Sequence, residues 1–428
     1  MIAGPPRRIL LIGLNYSPEP IGIGPYTSGL AEALVERGHA VRAIVGQPYY
    51  PEWKRYERFK GRWKSTEENG VQITRCPHYV PANPTGSRRL AHHLSFASSA
   101  YGPARAARRE FRPDLVMTVA PSMVAVPVAV RMARRAGVPL WLHLQDFEVG
   151  AALATGLIEQ GSPTAMAAAR FEERMLRSAD IVSTISDPMC ALAVRKGVPH
   201  DRVVQMRNWA NHGHLMAGAN SQGYRKEWGL EGKFVALYSG NIANKQGLDI
   251  VIEAARRMVD TPDISFVIAG EGPNRQRLEK LAAGLPNLQF RNLQPAERMG
   301  DLMTLADVHL LPQLGEAADL VLPSKLGNML SSGRPILATV HAGTGIAREL
   351  DGCGVIVPPQ DPEAFVWGLR QLLTNRALGE GLARAGKQQA EAHWSKAAVI
   401  DVFEQAMQSL LAKASEPEIP FSYRQASD

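Results

Sequence analysis

The stretch "ILLIGLNYSPEPIGIGPYTSGLAEALVERGHAVRAIVG", Ile9 to Gly46, sets the reading of the whole chain. Ile9 to Leu14 is a short, nearly continuous apolar run, as expected of a parallel strand buried on both faces. Tyr26 to Arg37 places apolar or small residues at Leu30, Ala31, Leu34 and Val35, the spacing of a helix, and Gly38 supplies its stop. "HAVRAIVG" reads as the next strand. The unit is therefore strand, loop, helix, strand, and Gly22 and Gly24 fall where the loop meets the helix. Without a Cβ there, backbone N–H groups can approach an anion closely. A dinucleotide site fits poorly. Its fingerprint wants a third glycine sooner than Gly29 and an acid at the end of the second strand, where this chain has Gln47. A phosphate-handling loop and a plain turn in an α/β sheet both remain open at this point.

With 428 residues the chain is long for one core, and two domains of about 200 residues each are expected. Hydrophobic content of 45% and charged content of 21% are those of a globular protein in water. Cys76, Cys190 and Cys353 are scattered and form no C-x-x-C pair, which points to a reducing compartment and away from a disulfide frame or structural zinc. "MIAGPPRRIL" lacks the pattern of a secretory leader, and the uncharged run Leu115 to Val130 is interrupted by Pro121 and Pro127. That run reads as a strand, a turn and a helix start.

The net charge of +7 is uneven: 27 Lys+Arg against 17 Asp+Glu up to Arg207, and 21 against 24 beyond it. Much of the excess lies in "WKRYERFKGRWK" (Trp53 to Lys64), "SRRL", "ARAARREFR" and "RMARRAG". Basic residues interleaved with aromatics suit an anionic membrane surface or a phosphorylated acceptor, or simply a solvated basic face. No nucleic-acid recognition motif accompanies them, so nucleic acid is not an expected partner.

The strand-helix alternation runs through "LVMTVA", "PLWLHLQD" and "IVSTIS". After a polar segment it restarts with "FVALYSGN", "ISFVIAGEG", "LQFRNL", "VHLLPQ", "PILATV" and "GVIVPP". The expected architecture is α/β, two doubly wound Rossmann-like domains at 1–210 and 211–428, with ligands at the carboxyl ends of strands facing a cleft. The tail from Glu416 to Asp428 is expected to be poorly ordered. Three strand ends in the second domain carry turn chemistry. These are Gly240-Asn241 with Lys245, Gln246 and Gly247; Gly270-Glu271-Gly272-Pro273; and Pro323-Ser324-Lys325 opening a helix that ends at Gly333. Amide donors, a helix dipole and a lysine in one turn make a diphosphate site.

"YSPEPIGIGPYT", "PYYPEW", "QDFEVGAALATGLI", "GNIANKQGLD" and "DLVLPSKLGNMLSSGRP" together resemble the GT-B glycosyltransferases of the retaining family-4 type, in the exopolysaccharide or colanic-acid branch. The resemblance covers Arg7 to about Leu411. It implies a first domain that binds the acceptor and faces the membrane, a second that binds a nucleotide sugar, and a final helix returning toward the first. It implies transfer of a sugar from a nucleoside diphosphate (GDP-fucose or a UDP-sugar) to a lipid-linked or polysaccharide acceptor. The place would be the cytoplasmic side of the plasma membrane, with the enzyme attached peripherally. It further implies that the loop of Gly22 and Gly24 closes over the donor diphosphate. Asp146 matches a polar position near the reacting sugar, although it also reads as a helix-capping aspartate.

This sequence departs from the wider family. Where that family has G-R-x-x-x-x-K-G, Asn241 and Gln246 occupy the Arg and Lys places, with Lys245 one residue off. Where it has two glutamates eight apart, this chain has Leu320 and Asn328. The compensation we expect is Lys325 for the lost positive charge, Asn328 for a ribose hydroxyl and Asp319 for the donor sugar. Diphosphate binding is thus expected at Gly22, Gly24, Asn241, Lys245, Gln246, Ser324 and Lys325. Nucleoside and sugar binding is expected at Gly270, Glu271, Gly272, Asp319 and Asn328, and catalysis at Asp146 and Lys325. No Asp-x-Asp motif is present, so neither a metal nor another cofactor is expected. Two rival readings are a nucleotide-sugar 2-epimerase, for which His143 and Asp146 are the available acid/base groups, and a non-catalytic membrane scaffold.

Overall fold

The computed structural model describes residues 5–150, 159, 161–210, 218–314, 322–323 and 325–415. The chain forms two compact units. The first takes the chain up to Ile185, Cys190–Met206 and the last helix from Ile400; the second takes Ser186–Met189 and Arg207–Val399.

The sheet of the first unit has eight strands: β1 (Arg8–Gly13), β2 (Ala40–Gly46), β3 (Lys64–Glu68), β4 (Val71–Cys76), β5 (Leu115–Ala120), β6 (Leu140–Leu144), β7 (Ile181–Thr184) and β8 (Val203–Gln205). Their order is β3-β4-β2-β1-β5-β6-β7-β8. All neighbours are parallel except β3 and β4, which pair as a hairpin with Glu68 opposite Val71. This antiparallel edge departs from the expected parallel arrangement. Its turn, Asn69-Gly70, has φ of 51° and 75°, the left-handed pair that a tight hairpin requires. The strand order reverses at β1, which lies between β2 and β5, so loops leaving the carboxyl ends of β1 and β5 diverge and open a crevice there.

Apolar continuity decides which strands are central. Ile9 to Ile12 and Leu115 to Met117 have no solvent-exposed surface. The helix Lys396–Ser415 contributes Phe403, whose ring centroid lies 4.5 Å from that of Trp141 on β6. Its Glu404 accepts from Arg37 at 2.7 Å and lies 3.1 Å from His39 Nε2, closing the back of the strand-helix-strand unit that opens the chain.

The second unit holds six parallel strands: β9 (Phe234–Ser239), β10 (Ile264–Ala269), β11 (Leu288–Arg291), β12 (Val308–Pro312), β13 (Ile336–Thr339) and β14 (Val355–Val357). Their order, β11-β10-β9-β12-β13-β14, reverses between β9 and β12. Leu248, Val251, Phe266, Phe365 and Leu369 build the core on one face, and Leu326, Met329, Leu350 and Trp394 belong to another cluster. Among the described residues no helix is long and apolar enough to cross a membrane.

Candidate functional site

In the second unit the site begins where β9 stops. Gly240 (φ 138°) turns the chain, its N–H donating to Ala269 O at 3.0 Å, and Ile242 N–H donates to Glu271 O at 2.8 Å. The loops after β9 and β10 are thus laced together by backbone. Glycine is needed for that closeness: a Cβ on Gly270 would lie 1.9 Å from Gly240 O, and one on Gly272 2.3 Å from Ile242 O. Gly270 and Gly272 therefore serve loop-on-loop packing directly. Glu271 is engaged too, since its carboxylate takes Arg275 Nη1 at 2.6 Å, and the same nitrogen holds Gly270 O at 2.9 Å.

Lys325, the first residue of the helix Lys325–Ser331, reaches this corner. Its ammonium nitrogen lies 3.8 Å from the centroid of the Tyr238 ring and 3.4 Å from Ser239 O. A Cβ on Gly240 would lie 3.7 Å from that nitrogen, so the cation stands over the glycine turn. Tyr238 is fixed by donating its hydroxyl to Asn241 O at 2.6 Å. Among the described residues no carboxylate pairs with Lys325. Although the side chain keeps some surface, the nitrogen has lost most of its hydration, and that burial pulls its pKa down to about 7. A cation with an aromatic face, one carbonyl and no counter-ion, set at the strand-order reversal, is ready for an anion.

Asn241 is exposed beside this turn, and Gln246 is half-buried in the 3-10 turn Asn244–Gln246. Gln246 Oε1 has no partner. Asn328 lies one turn past Lys325, half-buried, with its side-chain amide unpartnered among the described residues. Asp319 and Ser324 lie outside the described residues, as does the Lys245 side chain.

In the first unit, the loop after β1 carries Gly22 and Gly24. Gly22 has φ 76° and faces the Tyr50 ring; a Cβ on Gly24 would lie 2.9 Å from Glu19 Cβ and 3.2 Å from Tyr16 O. The helix Gly24–Glu36 starts at Ile23 with no side-chain cap and no acid in its first turn. The organiser of the loop is Glu19, which the sequence reading passed over. It is 2% exposed and accepts from Asn15 Nδ2 (2.9 Å), Tyr49 N (3.0 Å) and Tyr50 N (3.1 Å). Burial raises its pKa, and those three donors pull it back. The signal was available as an acid between two prolines beside a strand end.

Asp146 follows β6 with its carboxylate exposed and one oxygen accepting Phe147 N–H at 2.8 Å. Two residues on, Glu148 turns inward. It accepts Met123 N–H at 3.1 Å and lies 3.5 Å from His93 Nε2, whose other ring nitrogen meets Ser122 Oγ at 3.1 Å. Burial lifts the Glu148 carboxyl to about 8 and lowers the His93 imidazole to about 3, so both are neutral near pH 7. Asp146 is thereby displayed from a loop tied to the end of β5 and to the helix Gly86–Phe111. His143 is a different matter. It is 3% exposed inside β6, between Ser183 Oγ (2.8 Å) and Gln145 Nε2 (3.0 Å). It is a satisfied core histidine and leaves the epimerase reading without a second acid/base group.

With the geometry described, comparison with known proteins gives the family. The Glycosyl transferase 4-like domain family matches residues 22–209, and the Glycosyl transferases group 1 family matches residues 233–375. A colanic acid biosynthesis glycosyl transferase of Escherichia coli (strain K12), WcaI, is 41% identical over 376 residues, 86% of this chain and 92% of the relative. The chain belongs to the glycosyltransferases. The glycosyltransferase shares its GT-B fold with sucrose-phosphate synthase from Thermosynechococcus elongatus, at TM-score 0.67 and 16% identity over 95% of this chain and 100% of that one. Anabaena HepE, solved in complex with UDP, matches at TM-score 0.67 and 14% identity over 94% of this chain and 100% of that one. The resemblance read from the motifs is therefore correct at the level of family, fold and enzyme class.

Proposed function

We propose that this glycosyltransferase moves a sugar, with retention, from a nucleoside diphosphate sugar to a lipid-linked or polysaccharide acceptor in exopolysaccharide assembly. The observation that carries the proposal is Lys325 over the glycine turn after β9, a desolvated cation without a counter-ion. Breaking the anomeric C–O bond leaves negative charge on the diphosphate and positive charge on the sugar. A cation fixed beforehand at the diphosphate favours that separation, and one such donor is often worth ~3 kcal/mol. In this reading the β-phosphate oxygen that leaves takes the proton of the acceptor hydroxyl on the same face, and Asp146 orients that hydroxyl. Lys325 supplies the charge that a divalent ion would otherwise bring, so no metal is required. The HepE complex with UDP supports a nucleotide-sugar donor. The name of the WcaI relative supports an exopolysaccharide product.

Exposed apolar side chains support an acceptor at a membrane face. Leu90 and Leu94 lie one turn apart on the helix Gly86–Phe111, each 51% exposed. Trp63 donates its indole N–H to Ser99 O of that helix, and Tyr79 N–H donates to Ser95 Oγ. Arg88 and Arg89 flank them in sequence. Apolar side chains beside basic ones suit an anionic lipid–water boundary. The deciding experiment is calorimetric binding of GDP and UDP to the wild type and to Lys325→Ala. One nucleotide should bind and lose affinity in the variant. Binding of neither would overturn the proposal in favour of a scaffold.

A further inference from the structure

A second charged feature of the first unit takes no part in the reaction above. The helices Val126–Ala136 and Pro163–Arg177 border a groove of about 1120 Å³. Arg131, Arg134 and Arg135 line one wall, and Arg170, Arg174 and Arg177 the other. The spacing explains the rows: positions i, i+3 and i+4 on one helix, and i, i+4 and i+7 on the other, share a face. Against six guanidinium groups stands one lining carboxylate, Glu173, 3.8 Å from Arg177. Among the described residues, none of the other five arginines has a carboxylate within ion-pair distance. Arg131 is held over the Tyr101 ring at 5.9 Å. The rest of the lining is apolar, with Val128, Val130 and Met175 beside Phe171, which is 36% exposed.

Six uncompensated like charges repel one another and lower stability, so the fold itself gains nothing from them. All six are arginine, whose planar fork matches a phosphate oxygen pair and gives up hydration more readily than an ammonium. Charged walls over an apolar lining complement a ligand that is both phosphorylated and apolar. Basic pockets between helices accept phospholipid headgroups for this reason.

We infer that this interhelical arginine groove binds the headgroups of anionic phospholipids, with their acyl chains against Val128, Val130 and Phe171. It is a docking site separate from the Leu90–Leu94 face, and the inference rests on the membrane placement proposed above. Each basic side chain near an anionic leaflet strengthens partitioning by about fivefold, so removing three weakens it by about 100-fold.

The test is flotation of the full-length protein with vesicles of phosphatidylglycerol and phosphatidylcholine, compared with phosphatidylcholine alone. The proteins are the wild type, Arg131→Gln/Arg134→Gln/Arg135→Gln, Arg170→Gln/Arg174→Gln/Arg177→Gln, and Leu90→Ala/Leu94→Ala. The wild type should bind only the anionic vesicles. Each triple variant should lose about 100-fold while keeping its nucleotide affinity and its melting temperature, which removal of mutual repulsion can only raise. Anionic vesicle binding by both triple variants at wild-type strength would overturn the inference. So would displacement of the wild type from vesicles by poly-glutamate at equal charge concentration, because the groove would then be reading an acidic peptide. Vesicle results as expected in a protein that binds neither GDP nor UDP would leave the groove standing and remove only the sugar-transfer reading.

Discussion

Lys325 makes the donor site a proton-linked one. Its ammonium, stripped of water over Tyr238 and bonded only to Ser239 O, has a pKa near 7 in the empty protein. A diphosphate beside it favours the charged form, so binding takes up a proton wherever the free lysine is partly neutral. At pH 7 about half of the free protein carries the charge, and at pH 9 about one molecule in a hundred. Nucleotide affinity should therefore be nearly level below pH 6.5, fall from pH 7 upward, and be about 50-fold weaker at pH 9. Lys325→Met removes the charge and keeps much of the volume. A hydrogen bond to an ionised group contributes about 1.5–3 kcal/mol, so the variant should bind about 10- to 150-fold more weakly at pH 6.5. Its affinity should then lack the fall above pH 7. The assay is isothermal titration calorimetry in two buffers of different ionisation enthalpy, which counts the protons taken up. A wild-type affinity that is level from pH 6.5 to 9 with no proton uptake would refute the reasoning, whatever Lys325→Met does to affinity.

The other predictions concern the loops and the chemistry. Glu19→Ala leaves Tyr49 N–H and Tyr50 N–H without their buried acceptor and should lower unfolding stability by about 1–3 kcal/mol in urea titration. Gly270→Ala puts a methyl group 1.9 Å from Gly240 O in a left-handed backbone, and should cost more than about 3 kcal/mol or abolish soluble expression. Asp146→Asn should reduce the rate of transfer by 10²-fold or more, with nucleotide affinity within twofold of wild type. EDTA should leave the transfer rate unchanged, since Lys325 provides the charge at the diphosphate.

Much of the fold was legible because central parallel strands are buried on both faces. "LVMTVA" is β5 residue for residue, and "FVALYS" is β9, each a continuous apolar run that admits no other register. The β3–β4 hairpin was not read. Its first strand, "KSTEE", is polar and half-exposed, so periodicity gave nothing, although Asn69-Gly70 announced the turn. The site was legible where chemistry sits at a strand end, as with Gly240 and Lys325. It was not legible where a role depends on a distant partner. Glu19 acquires its function only when residues 49 and 50 present two amides to it, and Gly270 is required by the carbonyl of Gly240, thirty positions earlier. His143, named from sequence as an acid/base group, is consumed by Ser183 and Gln145 in the core. Spacing along the chain carries no information about such contacts.

The most direct test of the central claim is to incubate the purified enzyme with GDP-fucose and a set of UDP-sugars, each with and without a lipid extract from exopolysaccharide-producing cells, and to follow both sugar and nucleotide by mass spectrometry. The account predicts that one donor releases its nucleoside diphosphate in step with appearance of its sugar on the lipid fraction, at a rate that depends on the extract. Conversion of a nucleotide sugar to its 2-epimer without acceptor, or inertness toward every donor that binds, would contradict it.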